Sequence, residues 1–395
     1  MAPLTDVDAH AAEFLDLAGL ATPMALRVAV TLGLPDRLRG TGAPTGRLAT
    51  ELDVSPVALG ALLGHLVTLG VVERTPSGHR TTARGTALCA DAGNRLVDLL
   101  HLASAGGRAE LAFVELLHSV TTGRAGYARR YGRDFWADLA AHPRLRETFD
   151  RQMTDRFRAG LPALVAGGDW GRFGTLVDVG GGRGTLLAAI LAAHPGMRGH
   201  LVDLGPTAAE AGRTFAAHRL GDRARATAGS FFDPLPAGAD AYLLCDVLHD
   251  WDDEHAYLVL ARCAEAAGPT GRVLVVEPVG GRLADTGTDL AMLVIFGGRE
   301  RRVEEFRALA AAHGLVLDAV AELGDRRCLL EFRPTTGSPS AGRPPAGHES
   351  GHESGHESGH ESGHESGHES GHDDAPGIAG GVVVVRPAGP VSGCG

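Results

Sequence analysis

Residues 175–184 read Thr-Leu-Val-Asp-Val-Gly-Gly-Gly-Arg-Gly, a short apolar run that passes directly into a glycine-rich loop. The run has the length and the branched apolar side chains of a buried β-strand. The loop contains Gly180, Gly182 and Gly184, and glycine lets a backbone approach a ligand closely at the start of a helix, here predicted from Thr185. The stretch therefore predicts an open α/β sheet with a ligand site at the carboxyl end of its first strand.

Alternating strands and helices continue from this loop to about residue 333. The strands are predicted at 175–179, 199–203, 225–228, 241–248, 272–277, 316–322 and 327–333. Only a Gly-Asp turn separates the last two, and such a short connection requires an antiparallel pair, because parallel partners need a longer crossover. The pattern predicts a parallel sheet that ends in an antiparallel hairpin.

The ligand of the glycine loop is indicated by its spacing, D-x-G-x-G-x-G from Asp178 to Gly184. A dinucleotide fingerprint would require glycine at the position of Thr185. Asp203 ends the second strand about 20 residues later, where a carboxylate can accept hydrogen bonds from both ribose hydroxyls; the alternative is a loop cap. Ser230, Phe231 and Phe232 follow the third strand, and either phenylalanine could cover an adenine face or belong to the core.

A candidate general base follows the fourth strand, in the stretch Asp-Val-Leu-His-Asp-Trp-Asp-Asp-Glu at residues 246–254. His249 is predicted at the carboxyl end of that strand. Glu277 ends the fifth strand and Glu300 lies in the loop before a predicted helix, so both carboxylates are expected to flank and orient the imidazole. The alternatives are a structural histidine and, for Glu300, a surface ion pair with a neighbouring arginine.

The first hundred residues predict a small helical domain. Helices are predicted at 25–34, 45–52 and 56–69, and a hairpin at 71–82. Pro35 is expected to stop the first helix, and Ser55 to cap the third. Two helices followed by a hairpin form a winged-helix pattern, but the second helix of the pair contains no arginine or lysine. We therefore expect a buried or dimerising role and no binding of nucleic acid.

Length and composition limit the remaining possibilities. A chain of 395 residues with a formal net charge of −11 is long enough for two domains and an appendage, and it lacks the basic surface of a nucleic-acid binder. The five cysteines are scattered without metal-ligand spacing, which predicts a reduced, cytoplasmic protein without a metal site. No leader sequence and no run of about 18 apolar residues is evident, so no membrane span is expected.

These blocks resemble the S-adenosylmethionine-dependent O-methyltransferases of the plant caffeate and hydroxyindole type, and especially the bacterial members that modify polyketides. The resemblance runs from about Ala11 to Arg333, and its most specific parts are Asp178 to Gly184, Val247 to Glu254 and Asp289 to Arg301. It implies a class I methyltransferase fold, which is a Rossmann-like sheet, with S-adenosylmethionine as the methyl donor.

The resemblance also implies roles for particular residues. His249 is implied as the base, with Glu277 and Glu300 as its flanking acids. The implied cofactor contacts are Gly180, Gly182, Asp203, Ser230, Phe231 and Phe232. Plant-type members commonly have aspartate at the position of Ser230, on the adenine side, and lysine at that of Cys245. The Ser230 hydroxyl can still form a hydrogen bond, so adenosine binding is expected to persist with different side-chain contacts.

The expected acceptor is an aromatic hydroxyl compound of the phenolic or polyketide type, as in antibiotic biosynthesis. The residues expected to line its pocket are apolar or aromatic, and each could equally be core: Phe113, Phe135, Trp136, Phe149, Met153, Met292 and Phe296. Two other functions remain open: a decarboxylase or hydroxylase on the same fold, and a winged-helix regulator that senses S-adenosylmethionine. The presence of His249, Glu277 and Glu300 favours methyl transfer.

The predicted organisation has four parts. They are a winged-helix dimerisation domain at 11–100, a helical linker and pocket segment at 101–165, a catalytic domain at 166–333, and a tail at 334–395. The first part is implied to form a homodimer and to help close the partner's site. The tail repeats Gly-His-Glu-Ser six times from Gly347 to Ser370 and is expected to be disordered. Its evenly spaced histidines could bind metal ions; a solvated repeat is the favoured interpretation.

Overall fold

The computed structural model describes residues 6–282 and 285–335. The N-terminal elements are the helices α1 (Asp6–Ala18), α2 (Ala21–Thr31), α3 (Leu34–Arg37), α4 (Thr45–Leu52) and α5 (Pro56–Thr68), the antiparallel strands β1 (Val72–Thr75) and β2 (Gly78–Thr81), and helix α6 (Leu96–Leu100). They enclose a core that includes Leu34, Leu48 and Leu63. The Ser55 hydroxyl accepts a hydrogen bond from the Ala58 amide, so the predicted N-cap is confirmed.

One prediction in this region is wrong. The helix expected over 25–34 begins at Ala21 and ends at Thr31. Gly33 then takes a left-handed conformation, with φ of 64°, and Pro35 lies in the first turn of α3. Proline fits a first helical turn because its missing amide is not needed there. Pro35 therefore begins a new helix and does not stop the previous one.

One stretch of these helices has the length and apolar composition of a membrane span. Among the described residues it is His10–Thr31, which covers most of α1 and all of α2, with a mean hydropathy of 1.3. The finding is weak, because core helices and leader sequences meet the same criterion. Phe14, Leu15, Leu17 and Leu20 are each about two-thirds exposed or more in this chain. The stretch therefore presents an uncovered apolar surface.

A helical segment connects this region to the sheet. It comprises α7 (Ala105–Leu111), α8 (Leu116–Thr122), α9 (Gly126–Tyr131), α10 (Phe135–Ala141) and the long helix α11 (Pro143–Gly167). Tyr127, Phe135 and Leu139 form a buried cluster with Val294 and Ile295 of the catalytic part. The helical segment is thereby packed against the helical turn Met292–Phe296.

Among the described residues, seven strands form one mixed sheet. They are β3 (Thr175–Val179), β4 (Arg198–Asp203), β5 (Ala224–Ala228), β6 (Ala241–Cys245), β7 (Arg272–Glu277), β8 (Leu315–Gly324) and β9 (Arg327–Pro334), in the spatial order β5-β4-β3-β6-β7-β9-β8. The first five are parallel, and β9 is antiparallel to both β7 and β8. The predicted α/β fold, with its terminal hairpin, is confirmed.

Helices cover both faces of this sheet. They are α12 (Thr185–Ala193), α13 (Gly205–Ala217), α14 (Asp253–Ala267), α15 (Thr286–Ala291) and α16 (Val303–Ala311). Alternate residues of β7 show the two-sided burial, because Val273 and Val275 pack into one apolar cluster and Leu274 and Val276 into the other. A strand buried on both faces carries a continuous apolar run, as β7 does.

The fourth strand of the parallel set ends earlier than expected. The prediction of 241–248 is corrected, because β6 stops at Cys245 and residues 248–250 form a single helical turn. Asp246 has a left-handed φ of 50°. Its carboxylate accepts hydrogen bonds of 2.9 and 2.6 Å from the Arg327 guanidinium on β9. Asp246 and Arg327 are far apart in the sequence, and their buried ion pair fixes Asp246 in a conformation that does not continue the strand.

The expected tail at 334–395 lies outside the described residues, apart from Pro334 and Thr335. Pro334 still belongs to β9, so the sheet extends one residue beyond the expected boundary.

Candidate active site

The glycine loop forms the first part of the site, between β3 and α12. Gly180 has a φ of 72°, and a Cβ atom there would lie 3.1 Å from Val247 Cγ2 and 3.4 Å from the Phe231 ring. A side chain at this position would therefore be strained and crowded. The loop is tied to the next strand, because the Gly182 amide donates to Asp203 Oδ2 over 2.8 Å.

Acidic side chains surround the loop. Burial raises the pKa of Asp203 at the end of β4, while the amides of Gly182 and Leu204 act in the opposite direction. Asp178 is fully buried beneath the loop, its Oδ2 atom has no hydrogen-bond partner, and burial raises its pKa to about 7. The loop thus presents carboxyl groups to a ligand that carries hydroxyl groups or positive charge.

His249 lies in the turn after β6 and is 3 % exposed. Its Nδ1 atom is 3.2 Å from Glu300 Oε1, and its Nε2 atom is 3.5 Å from Asp250 Oδ1. Because a carboxylate only accepts hydrogen bonds, Glu300 holds the proton on Nδ1 and leaves Nε2 directed at the cavity wall. The expected contact between Glu300 and His249 is present.

Glu277 acts differently from the expectation. It was expected to flank the imidazole, but its Oε1 atom accepts hydrogen bonds from the backbone amides of Val247, Leu248 and His249, at 3.1, 2.5 and 3.3 Å. The turn places these three amide donors side by side, so they bind Oε1 of Glu277 in place of the imidazole. Glu277 therefore holds His249 through the backbone of its turn.

The charges around His249 change its acidity. Burial lowers the pKa of His249, but Asp250, Glu300 and more distant carboxylates outweigh this effect and raise the pKa to about 10. Burial raises the pKa of Asp250 to about 7, and that of Glu277 to about 7, against the opposing charge of the imidazole. His249, Asp250 and Glu277 therefore form a buried cluster in which the protonation of each group depends on the others.

Arg301 fixes the turn from the other side. Its side chain is fully buried, and its two terminal nitrogens donate to the carbonyl oxygens of Leu248 and Trp251 over 2.6 and 2.7 Å. Gly298 packs against the same turn, where a Cβ atom would lie 2.1 Å from the His249 carbonyl oxygen. The backbone of His249 and Asp250 is thus held on both sides.

One cavity of about 1210 Å³ joins the glycine loop to His249 and to the helical segment. All predicted cofactor contacts line it: Gly180, Gly182, Asp203, Ser230, Phe231 and Phe232. So do all residues expected around the acceptor: Phe113, Phe135, Trp136, Phe149, Met153, Met292 and Phe296. Glu277 and Glu300 do not face it and lie behind His249.

Residues 113–316 match an O-methyltransferase domain, and residues 15–91 match an O-methyltransferase dimerisation domain. The chain belongs to the O-methyltransferase family. It is an enzyme of that family, and its methyl donor is S-adenosylmethionine.

Similar proteins occur in Streptomyces species. The chain is 46% identical over 307 residues to the 2,7-dihydroxy-5-methyl-1-naphthoate 7-O-methyltransferase of Streptomyces carzinostaticus, covering 77% of this chain and 92% of that one. It is 40% identical over 326 residues to the aclacinomycin 10-hydroxylase of Streptomyces purpurascens, covering 80% and 87%. Relatives of this fold therefore include both a methyltransferase and a hydroxylase.

A solved structure has the same fold. An O-methyltransferase from neocarzinostatin biosynthesis, in complex with S-adenosylmethionine and 2-hydroxy-5-methyl naphthoic acid, matches with a TM-score of 0.75 and 43% identity, over 81% of this chain and 98% of that one. The repeat-rich sequence from Gly347 to Ser370 lies outside the two family-model matches.

The residues of this O-methyltransferase fit S-adenosylmethionine. Gly180 and Gly182 line the cavity without side chains, Asp203 offers a carboxylate at the end of β4, and the unpartnered Asp178 oxygen suits a cationic ligand. Phe231 provides an apolar wall of the cavity. Within the described residues, no group of three or more histidine, cysteine, aspartate or glutamate side chains could hold a metal ion.

Several site residues of the O-methyltransferase were not singled out from its sequence. Asp250 and Trp251 also line the cavity, and their position directly after His249 was the available signal. Asp150 on α11 lines it too, accepts a hydrogen bond from the Thr207 hydroxyl over 3.2 Å, and has a pKa raised to about 6 by burial. In the sequence it cannot be distinguished from a surface partner of an arginine four residues away.

Proposed function

We propose that this enzyme transfers a methyl group from S-adenosylmethionine to a hydroxyl of an aromatic small molecule, of the phenolic or polyketide type, with His249 as the general base. The observation that carries the proposal is the imidazole of His249, oriented by Glu300 at 3.2 Å, at the wall of one cavity that joins the glycine loop to aromatic side chains. Relatives named for hydroxynaphthoate chemistry support the substrate class.

The aromatic walls provide the second argument for the substrate class. Trp136 stacks with Phe296 at a centroid distance of 5.4 Å and with Trp251 at 6.1 Å. Phe135 and Phe149 meet Trp136 edge-on. A pocket with such walls suits a flat ring system, because aromatic rings gain from both stacked and edge-on contacts.

The chemistry required of the chain is positioning and proton removal. When bound, S-adenosylmethionine supplies a sulfonium methyl carbon that the acceptor oxygen attacks while the carbon–sulfur bond breaks. Nε2 of His249 accepts the proton of the acceptor hydroxyl, and Glu300 stabilises the imidazolium through Nδ1. Asp203 and the loop at Gly180 and Gly182 hold the adenosyl part, and the aromatic walls align the acceptor.

Replacing His249 with alanine tests the proposal. We expect kcat to fall by about 10²- to 10⁴-fold, because general-base assistance is lost. Transfer is measured with labelled S-adenosylmethionine and a panel of phenols, flavonoids and hydroxynaphthoates. The His218→Ala variant is the matched control, because His218 is exposed at the end of α13 and should leave turnover unchanged. Full turnover by His249→Ala, with unchanged affinity for S-adenosylhomocysteine, would refute the base assignment.

A hydroxylase or decarboxylase is the second candidate, because a 40%-identical relative is named a hydroxylase. Product mass separates the possibilities. We expect a product that is one methylene group heavier than the acceptor. A product that has gained oxygen or lost carbon dioxide would support the second candidate. A regulatory function would instead require specific DNA binding in a gel-shift assay at physiological salt.

We also propose the domain organisation and assembly expected above. Residues 11–100 form a winged-helix dimerisation domain, 101–165 a pocket segment and 166–333 the catalytic domain, in a cytoplasmic homodimer. The match of residues 15–91 to a dimerisation domain supports this proposal. The uncovered apolar side chains on α1 and at Leu20 support it as well.

A further inference from the structure

Helix α11 contributes one wall of the cavity, and this wall carries a positive charge. Phe149, Met153 and Arg156 all line the cavity, and their spacing of four and then three residues places them on one face of the helix. The guanidinium of Arg156 is charged at every physiological pH. Within the described residues it makes no hydrogen bond and no ion pair. A partly buried cation without a partner is costly, so an anionic ligand group would stabilise it.

The position of this cation along the cavity can be located from the charges near it. Among the described residues, the arginines that line the cavity are Arg27, Arg146, Arg156 and Arg183. The first and the last are already paired with glutamates, at 3.0 and 3.1 Å. Burial raises the pKa of Asp203, beside the glycine loop, and Arg146 acts in the opposite direction. Burial also raises the pKa of Asp250, and there Arg156 is among the opposing charges. Of the two remaining arginines, Arg156 therefore lies nearer to His249.

The acids close to Arg156 leave its charge available to a ligand. Asp246 already accepts hydrogen bonds of 2.9 and 2.6 Å from the guanidinium of Arg327. Burial raises the pKa of Asp250 to about 7, so this carboxyl group is only partly charged at neutral pH. Neither acid forms an ion pair with Arg156 in the part of the chain that the structure describes.

We propose that Arg156 binds a carboxylate substituent of the aromatic acceptor and thereby selects hydroxylated aromatic acids over neutral phenols. This inference rests on the proposed function and specifies its substrate class. A flat acceptor that packs along Phe149 and Met153 extends toward Arg156, because the three residues share one helix face. The planar guanidinium matches a carboxylate with two parallel N–H···O hydrogen bonds. A neutral acceptor would leave the cation unpaired.

The test compares hydroxynaphthoates with their neutral amides. The acceptors are 3-hydroxy-2-naphthoate and 6-hydroxy-2-naphthoate, each measured beside the corresponding hydroxynaphthamide. In at least one of these pairs, we expect the wild-type enzyme to prefer the acid in kcat/KM by about 10- to 100-fold, the range of hydrogen bonds to a charged group. Arg156→Met should remove this preference by raising the KM of the acid, with little change for the amide.

Two further variants make the comparison specific. Arg156→Lys should retain part of the preference, because an ammonium group keeps the charge but not the planar pair of donors. Arg158→Met is the matched control on the same helix, since the Arg158 side chain is 72% exposed, and it should leave the preference unchanged. Arg156→Gln is measured as well, so that the charge can still be removed if Arg156→Met does not fold.

The possible outcomes are distinguishable. Equal loss for acid and amide in Arg156→Met would mean that Arg156 acts only on the charges around His249, and would overturn the proposal. Equal wild-type kcat/KM for acid and amide would overturn it and leave the proposed function intact. If no naphthalene acceptor is methylated, calorimetric binding of the same compounds to the enzyme with S-adenosylhomocysteine decides. The proposal then requires tighter binding of the acid than of its amide, and loss of that difference in Arg156→Met; equal binding would overturn it.

Discussion

The imidazole of His249 is surrounded by several carboxyl groups. Glu300 contacts Nδ1, Asp250 lies 3.5 Å from Nε2, and the other acids of the cluster add their charge at longer range. With a pKa raised to about 10 by these neighbouring carboxylates, the imidazole favours its protonated form at neutral pH. A sulfonium cation in the neighbouring site lowers that pKa, because like charges disfavour the protonated form. In the proposed mechanism, cofactor binding therefore favours the neutral imidazole that can accept a proton.

Replacing Glu300 with glutamine tests how far this carboxylate raises the pKa of His249. If His249 is the base, as proposed, the neutral imidazole is the active form and kcat/KM rises as the pH passes upward through its pKa. Removing one carboxylate lowers that pKa, and the rising limb of the pH profile shifts to lower pH. We also expect the plateau value of kcat/KM to fall by up to about 10-fold, because the imidazolium formed by proton transfer loses a stabilising negative charge.

The control is Glu304→Gln, which alters an exposed glutamate four residues further along the chain. It should leave the profile unchanged. Because both variants and the wild type use the same acceptor, ionisation of the phenol contributes equally to all three curves. If the rising part of the pH profile does not shift in Glu300→Gln, this carboxylate does not determine the pKa of His249.

At the scale of elements, the turn between β6 and α14 determines where His249 lies. Glu277 binds its amides, Arg301 binds its carbonyl oxygens, and Gly298 packs against its backbone. The side chains of Val247 and Leu248 in the turn are buried in the apolar core, and its backbone is held by these polar contacts from β7 and from the segment before α16. We therefore expect the buried Arg301 guanidinium to support both stability and turnover.

Arg301→Met tests how far the turn depends on the Arg301 guanidinium. Methionine fills similar space but leaves the carbonyl oxygens of Leu248 and Trp251 without their donor. We expect the free energy of unfolding to fall by about 2–4 kcal/mol in urea titrations, from unsatisfied buried acceptors, together with a loss of kcat/KM. Arg307→Met, at an exposed position on α16, is the comparison and should change both values little. An equally stable Arg301→Met protein would contradict this role.

The same turn shows the limit of inference from sequence. The strands, the terminal hairpin and the contact of Glu300 with His249 follow from apolar periodicity, connection length and the order of the motifs. The early end of β6 does not, because it depends on Asp246 meeting Arg327, a residue 81 positions away. The backbone role of Glu277 was also missed, since a carboxylate at a strand end has the same pattern whether it binds an imidazole or three amides.

At the scale of the whole molecule, the first helices present more apolar surface than a folded monomer needs. Phe14, Leu15, Leu17 and Leu20 are 68%, 74%, 75% and 67% exposed. Ala18 and Leu20 also line the cavity, so this surface continues into the active site. A second copy of the chain that covers α1 would remove the apolar surface from water and close one side of the cavity.

We therefore expect sedimentation to give twice the chain mass of 40.9 kDa. The double substitution of Leu15 and Leu17 by glutamate should shift the protein to monomer and raise the KM of the acceptor, because one wall of the cavity loses its cover. Leu258→Glu, on α14, alters a partly exposed leucine away from α1 and should remain dimeric. A wild-type monomer with full activity would rule out the proposed assembly.

The position of β9 has a consequence for how the enzyme is made. This strand is the last in the described chain, yet it lies inside the sheet, between β7 and β8, and carries the arginine that pairs with Asp246. A ribosome must therefore release the chain through β9 before the turn of His249 can adopt its final form. Nascent chains that stop short of Arg327 contain the glycine loop, His249 and Glu300 but no finished site. Activity during synthesis should begin only when this hairpin closes.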